Sequence, residues 1–242
     1  MELQVVKAEA FGAQAADEAV ETLRRKPDAV IGLPTGHTPI SLYQTLLQRA
    51  VTGEADLSRM RVAMLDDYLG ARHEDEVSFY QWLQEHFLRA AGIGDGRTLA
   101  IPTQAETIEE DCDAYERKLK AWGGCDLLFL GLGRNGHIGF NEPGSRRETR
   151  TRVVPLSASS RLANADYWRR QAAVPERGVT MGIATILEAR RIVLLVAGEG
   201  KRDILRRMMA AEAGAEIPAS WLKDAPQATV LADEAAAGRE AG

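Results

Sequence analysis

Asp126-Leu127-Leu128-Phe129-Leu130-Gly131-Leu132-Gly133-Arg134-Asn135-Gly136-His137 passes without a break from an apolar run into a glycine-rich polar loop. A strand with apolar side chains at nearly every position needs cover on both faces. A parallel sheet sandwiched between helices supplies that cover. Further apolar runs of the same kind lie at residues 3–6, 29–33, 62–65, 192–197 and 229–232. Stretches of helical periodicity separate them. Phe79, Trp82, Leu83 and Phe87 make one stripe, and Ile108, Cys112, Tyr115, Leu119 and Trp122 make another. Such stripes are core faces. The alternation predicts an α/β fold, an open doubly wound and mostly parallel Rossmann-like sheet flanked by helices.

The chain has 242 residues, which fits a single domain over 1–242 and leaves little room for a second core. From about 142 to 180 the pattern lapses into the charged stretch 146–152 and an amphipathic segment at 157–170, with no convincing long strand. This reads as a small helical excursion over one edge of the sheet, a lid. The Ala- and Glu-rich tail after Asp233 reads as a short helix that frays.

The formal net charge is −5 and the basic residues are dispersed, so a nucleic-acid surface is not expected, although a local cationic pocket for a small anion is compatible with it. No leader pattern opens the chain and no apolar run approaches membrane-spanning length, so a cytoplasmic protein without a membrane partner is expected. Cys112 and Cys125 are far apart and form no CxxC, which predicts buried free thiols. No second His or Cys stands near His137 at ligand spacing, so neither a metal nor a cofactor is expected.

Three strand ends carry the polar residues that chemistry needs, and ligands of open α/β sheets bind at strand carboxyl ends. After the run at 29–33 comes Pro34-Thr35-Gly36-His37-Thr38-Pro39. Thr38 suits a helix N-cap and Pro39 the first helical position. The turn is either a capped helix start alone or an anion site on helix N–H groups, and the Thr-Gly-His-Thr run favours the second. After 62–65 comes Asp66-Asp67-Tyr68. Adjacent carboxylates on an extended chain point to opposite sides, so at least one should face the cleft as a candidate base; the equally weighted alternative is that one caps a helix and the other is solvated. Gly131-Leu132-Gly133-Arg134-Asn135-Gly136 matches the dinucleotide pattern in form, but no helical pattern follows and Pro143 interrupts. What remains is a loop with Asn135, His137, Asn141 and Glu142, where an imidazole oriented by a carboxylate and an amide can exchange protons near neutral pH.

Taken together, the segments 32–39, 65–68, Gly133-Arg134-Asn135-Gly136-His137-Ile138-Gly139-Phe140-Asn141-Glu142-Pro143-Gly144 and 180–187 resemble the glucosamine-6-phosphate deaminase family, relatives of the 6-phosphogluconolactonases. The likeness is collinear to about Asp233. It implies conversion of glucosamine 6-phosphate to fructose 6-phosphate and ammonia without a metal. By the same resemblance His137 opens the sugar ring with Glu142 and Asn135, and Asp66 carries a proton between C2 and C1. Thr35, Gly36, His37, Thr38, Asp67, Gly136 and Lys201 fall at substrate-binding positions. Some members are allosteric hexamers with longer C-termini, which implies a monomer or small homo-oligomer here.

Three positions depart from the family pattern: His37 stands for a second glycine, Asp67 for Glu, and Asp166 for a phosphate-binding Arg. A carboxylate beside a phosphate dianion repels it. Either Arg169 or Arg170 takes over the phosphate, or the substrate is a different amino sugar. A sugar lactonase and a non-catalytic sugar-phosphate-binding regulator are further alternatives. The Asn-Glu-Pro segment argues against the first of these, and the joint presence of Asp66, His137 and Glu142 argues against the second.

Overall fold

Every one of the apolar runs becomes a strand of one sheet in the computed structural model, which describes residues 1–158, 160–162 and 174–239. The strands are β1 (Glu2–Val6), β2 (Val30–Leu33), β3 (Arg61–Met64), β5 (Thr98–Leu99), β6 (Leu127–Gly131), β9 (Ile192–Val196) and β10 (Ala228–Asp233). They lie in the order β1-β10-β9-β6-β2-β3-β5, all parallel. Leu127 to Leu130 and Ile192 to Val196 are buried throughout, as strands covered on both faces require.

Helices α1 (Phe11–Arg25), α2 (Ile40–Val51), α3 (Phe79–Leu83), α4 (Ile108–Ala121), α5 (Ile183–Leu187), α6 (Arg202–Ala210) and α7 (Glu234–Ala237) complete the described elements with several short turns. The two predicted stripes are realised: α3 runs on into a wide turn over Gln84–Leu88, and α4 buries Cys112, Tyr115 and Leu119. Both cysteines are free and buried, and burial pushes their thiols up to about 11 and about 12. Asp233 caps α7 by accepting from the Ala236 amide, and Gly238 ends it at φ 70°.

From β2 the chain winds outward through β3 to β5, then crosses back to β6 on the other side of β2 and winds outward again. The reversal therefore lies between β2 and β6. Their carboxyl ends diverge there and open the crevice in which ligands of such sheets bind.

Among its described residues the excursion carries short strands but no long one. β7 (Arg152–Pro155) and β8 (Arg177–Thr180) are short strands, and with β4 (Asp66–Tyr68) they form an antiparallel sheet in the order β4-β8-β7. Four residues are too few for a composition signal, and β7 and β8 owe their existence to pairing. Ser159 and residues 163–173 lie outside the described residues, and with them part of the proposed lid, including Asp166, Arg169 and Arg170.

Candidate active site

The chain changes sheets at Leu65, and that step builds one half of the site. β3 ends at Met64, the Leu65 carbonyl accepts from the Met181 amide at 2.7 Å, and Asp66 then pairs with Thr180 in the smaller sheet. Adjacent side chains on β4 diverge, as expected of an extended pair. Asp67 turns inward. Its carboxylate accepts from the amides of Tyr68, Phe79 and Tyr80 at 2.8, 3.0 and 3.1 Å and from Ser78 Oγ at 2.9 Å. With three of these four donors at the start of α3, Asp67 holds that helix start from a buried place.

Asp66 faces the loop after β6. Its Oδ2 lies 3.4 Å from where a Cβ on Gly139 would sit, and that Cβ would meet Thr180 Oγ1 at 2.8 Å, so with φ 57° the position favours glycine. No described residue donates a hydrogen bond to the Asp66 carboxylate. Burial, and then the charge of Asp67, push it up to about 8. A carboxyl group with that affinity exchanges protons near neutral pH.

The loop after β6 builds the other half. Its turn closes through the Gly136 amide to the Gly133 carbonyl at 3.0 Å and the Gly133 amide to the His137 carbonyl at 2.9 Å. A Cβ on Gly133 would stand 2.2 Å from His137 Nε2, so the imidazole lies directly over that glycine. Gly136 has φ 90°, its carbonyl accepts from Ala219 N at 2.9 Å, and a Cβ would stand 2.7 Å from Ile217 Cγ2. Both polar backbone groups of Gly136 are engaged within the protein, so it shapes the turn.

Asn135 Nδ2 donates to Glu142 Oε2 at 2.5 Å, and Asn135 Oδ1 accepts from the His137 amide at 3.2 Å. The same Oε2 stands 3.7 Å from His137 Nδ1, which is buried and has no hydrogen-bond partner. That separation exceeds a hydrogen bond. Asn135 is thus the firmer contact, and a small rotation of the ring would close the second. Burial raises the Glu142 carboxyl, but the facing His137 ring and hydrogen bonds from Ser160 and Asn135 outweigh it and hold it down at about 2.

Beyond Glu142 the loop is locked to the smaller sheet. Asn141, fully buried, donates to the carbonyls of Ile138 and Met181 and accepts from Arg152 at 3.0 Å. The Phe140 amide donates to Thr180 Oγ1 at 3.1 Å, and the Phe140 ring packs on Tyr68 and Phe79. Phe140 also fills the place where a side chain on Gly178 would be.

The anion turn sits at the carboxyl end of β2, beside this loop. Gly36 has φ 101° with open space where a Cβ would point, a conformation that favours glycine and leaves the backbone accessible. Thr35, Gly36 and Thr38 are half-buried and His37 is exposed. The expected cap is displaced by one residue: α2 begins at Ile40 with Pro39 at its N-cap, Thr38 makes no capping bond, and the Ile40 amide bonds the His37 carbonyl at 3.3 Å. Lys201, at the end of β9, lies on the far side of the loop, with Nζ donating to the Leu132 carbonyl at 2.5 Å. Burial, with the nearby charge of Arg134, lowers its pKa. Among the described residues no group of three or more His, Cys, Asp or Glu could hold a metal ion, and no helix is long and apolar enough to cross a membrane.

This constellation, an unsolvated carboxylate facing an imidazole–carboxylate–amide set, coincides with what the sequence shares with known proteins. Residues 4–231 match the family of glucosamine-6-phosphate isomerases and 6-phosphogluconolactonases. The chain belongs to this family. A glucosamine-6-phosphate deaminase of Streptomyces avermitilis is 40% identical over 99% of this chain and 92% of its own length. A solved monomeric glucosamine-6-phosphate deaminase superimposes with a TM-score of 0.95 at 35% identity, covering 99% of this chain and 100% of that one. A 6-phosphogluconolactonase from Trypanosoma brucei has a TM-score of 0.78 at 20% identity over 98% and 97% of the two chains, a likeness of fold alone.

Within this family fold the structure brings Asp66, Asn135, His137 and Glu142 around one loop, with the 35–38 turn and Lys201 on strands adjacent to it. A hydroxyl that sequence reasoning passed over also reaches Glu142: Ser157 Oγ donates to Oε1 at 3.2 Å. Serines in a charged, amphipathic stretch carry no signal of a partner that lies fifteen residues earlier in the chain.

Proposed function

We propose that this protein converts glucosamine 6-phosphate to fructose 6-phosphate and ammonia. The observation that carries the reading is Asp66, a buried carboxylate to which no described residue donates a hydrogen bond, packed against Gly139 two residues beyond His137, whose Nδ1 lies 3.7 Å from Glu142 Oε2. Ring opening needs a proton moved from the C1 hydroxyl to the ring oxygen. The imidazole of His137 can relay it, with Glu142 stabilising the charged ring and Asn135 fixing the carboxylate. In the open-chain sugar Asp66 takes the proton from C2 and returns it to C1, while the C1 oxygen gains a proton and the amino group loses one, leaving an imine at C2 and a hydroxyl at C1. Water adds to that carbon, the C–N bond breaks, and the products are the ketose and ammonia. The neighbouring Asp67 and the burial that raise Asp66 make it basic enough for this step.

The phosphate is held by the 35–38 turn and by Lys201, whose positions on either side of β6 bracket the crevice. The close relation to glucosamine-6-phosphate deaminases along almost the whole chain supports this substrate over a lactone. We read the protein as a cytoplasmic monomer or small homo-oligomer, a reading supported by the monomeric relative that spans the same length. The test is ammonia release from glucosamine 6-phosphate, beside glucosamine, galactosamine 6-phosphate and a gluconolactone. Turnover of the first by far the best is expected. Turnover of another, with none of the first, would overturn the assignment.

A further inference from the structure

Glu142 must present one oxygen to His137 in a fixed direction, yet the loop that carries it is long and held on the far side through Asn141. Two oxygens of a carboxylate offer about four acceptor positions. Asn135 engages Oε2 at 2.5 Å, the oxygen that faces the imidazole. Oε1 would be left free to turn the group, except that Ser157 Oγ donates to it at 3.2 Å.

Ser157 does not act alone. Its Oγ lies 3.0 Å from Ser160 Oγ and accepts from the Ser160 amide at 3.1 Å. Ser160 is buried, with 5% of its surface exposed. Its amide and hydroxyl hold the Ser157 hydroxyl, which reaches Oε1, in one turn of chain directly after β7 and Leu156. The charged groups around Glu142 are His137 across the loop, and Arg146 and Arg152 lining the hollow on its other side.

We propose that Ser157 and Ser160 are positioning residues that fix the orientation and charge of Glu142, so that its Oε2 stays aimed at His137. The inference rests on the reading of Glu142 and His137 as the ring-opening pair. It assigns to the chain after β7 a direct hold on that pair, independent of any contact with the sugar.

The experiment needs no substrate in its first arm. Carbon-13 labelling of glutamate side chains lets the Glu142 carboxyl be titrated by NMR in the free protein. In Ser157→Ala and Ser160→Ala its midpoint should rise by about one pH unit, since hydrogen bonds to the ionised form are lost; Ser157→Thr, which keeps the hydroxyl, should restore the wild-type value. An unchanged midpoint in both alanine variants would overturn the proposal. In the second arm Ser157→Ala should lower kcat roughly tenfold, the order expected of a lost hydrogen bond to a charged group, with KM little changed. Ser157→Asp keeps an acceptor for the Ser160 amide but sets a negative charge against Glu142, so it should lose at least as much turnover. Wild-type turnover in Ser157→Asp would reduce Ser157 to a local turn residue and sink the idea. If wild type releases no ammonia, the functional reading fails while the titration still decides the positioning role. Should Ser157→Ala not fold, Ser160→Ala and Ser157→Asp carry both arms.

Discussion

The Asn135 side-chain amide donates to Glu142 Oε2 at 2.5 Å, and that same oxygen is the one facing His137 Nδ1 at 3.7 Å. Asn135 cannot take or give a proton at accessible pH. Its contribution is direction and charge: a donor on the carboxylate favours the ionised form and keeps the oxygen aimed at the ring. Glu142→Gln keeps the shape and removes the charge. It should lower kcat by roughly 10²–10³, the scale of a lost acid–base partner, with KM little affected. Asn135→Asp should retain more activity than Asn135→Ala, because only the former keeps the acceptor for the His137 amide. Steady-state kinetics on the three variants separates charge from orientation.

Asp66→Asn should abolish measurable turnover while a sugar-phosphate analogue still binds. Calorimetric titration of the variant checks this, and loss of binding would mark Asp66 as structural. The same substitution has a stability consequence with a definite sign. Asp66 sits at about 8 in the fold against an ordinary value of 3.8, so between those limits the folded state holds more protons than the unfolded one. Stability therefore falls as pH rises through that window. Asn removes the cost, so the gain in Tm over wild type should be small near pH 4 and larger near pH 8. Thermal melts at the two pH values measure it.

Since Asp66 must be ionised to accept a proton, kcat/KM should climb with pH and level off above about 8. A flat profile across neutral pH would mean that Asp66 is not the group that limits the reaction. Glu142, held down at about 2, contributes no inflection above pH 4 in the wild type.

Asp67→Ala should act mainly on the fold, and on the chemistry only by moving the rise of kcat/KM to lower pH, since burial alone is then left to raise Asp66. It strips the amides of Phe79 and Tyr80 and the Ser78 hydroxyl of their acceptor in a buried place, a loss of about 1–3 kcal/mol. A lower Tm with an unchanged KM for the folded fraction is the expected pair of results. A rise in KM with stability intact would return Asp67 to the substrate.

Lys201→Ala should raise KM for glucosamine 6-phosphate by roughly 10–100-fold, as loss of a charge-assisted contact implies, and weaken competitive inhibition by inorganic phosphate. Equal effects on phosphorylated and unphosphorylated sugars would place the lysine elsewhere than at the phosphate.

The strands of the main sheet were legible because their burial is written in continuous apolar runs, and the doubly wound class follows from their alternation with helical stripes. His137, Asn135 and Glu142 were legible because they share one short loop at a strand end, where local sequence and local geometry are nearly the same thing. The second sheet was not. β4, β7 and β8 are three or four residues long and exist only because Asp66 pairs with Thr180 and Thr180 with Arg152 across distant parts of the chain. The sequence narrowed the base to two adjacent aspartates, since an extended chain sends neighbours to opposite faces. Which of them meets the cleft was decided by tertiary structure, through the start of α3 that claims Asp67 and the passage of Gly139 beside Asp66. The hold of Ser157 on Glu142 is of the same kind: hydrogen bonds between residues far apart in the chain leave no trace in composition or period, because they depend on where the backbone has already been placed.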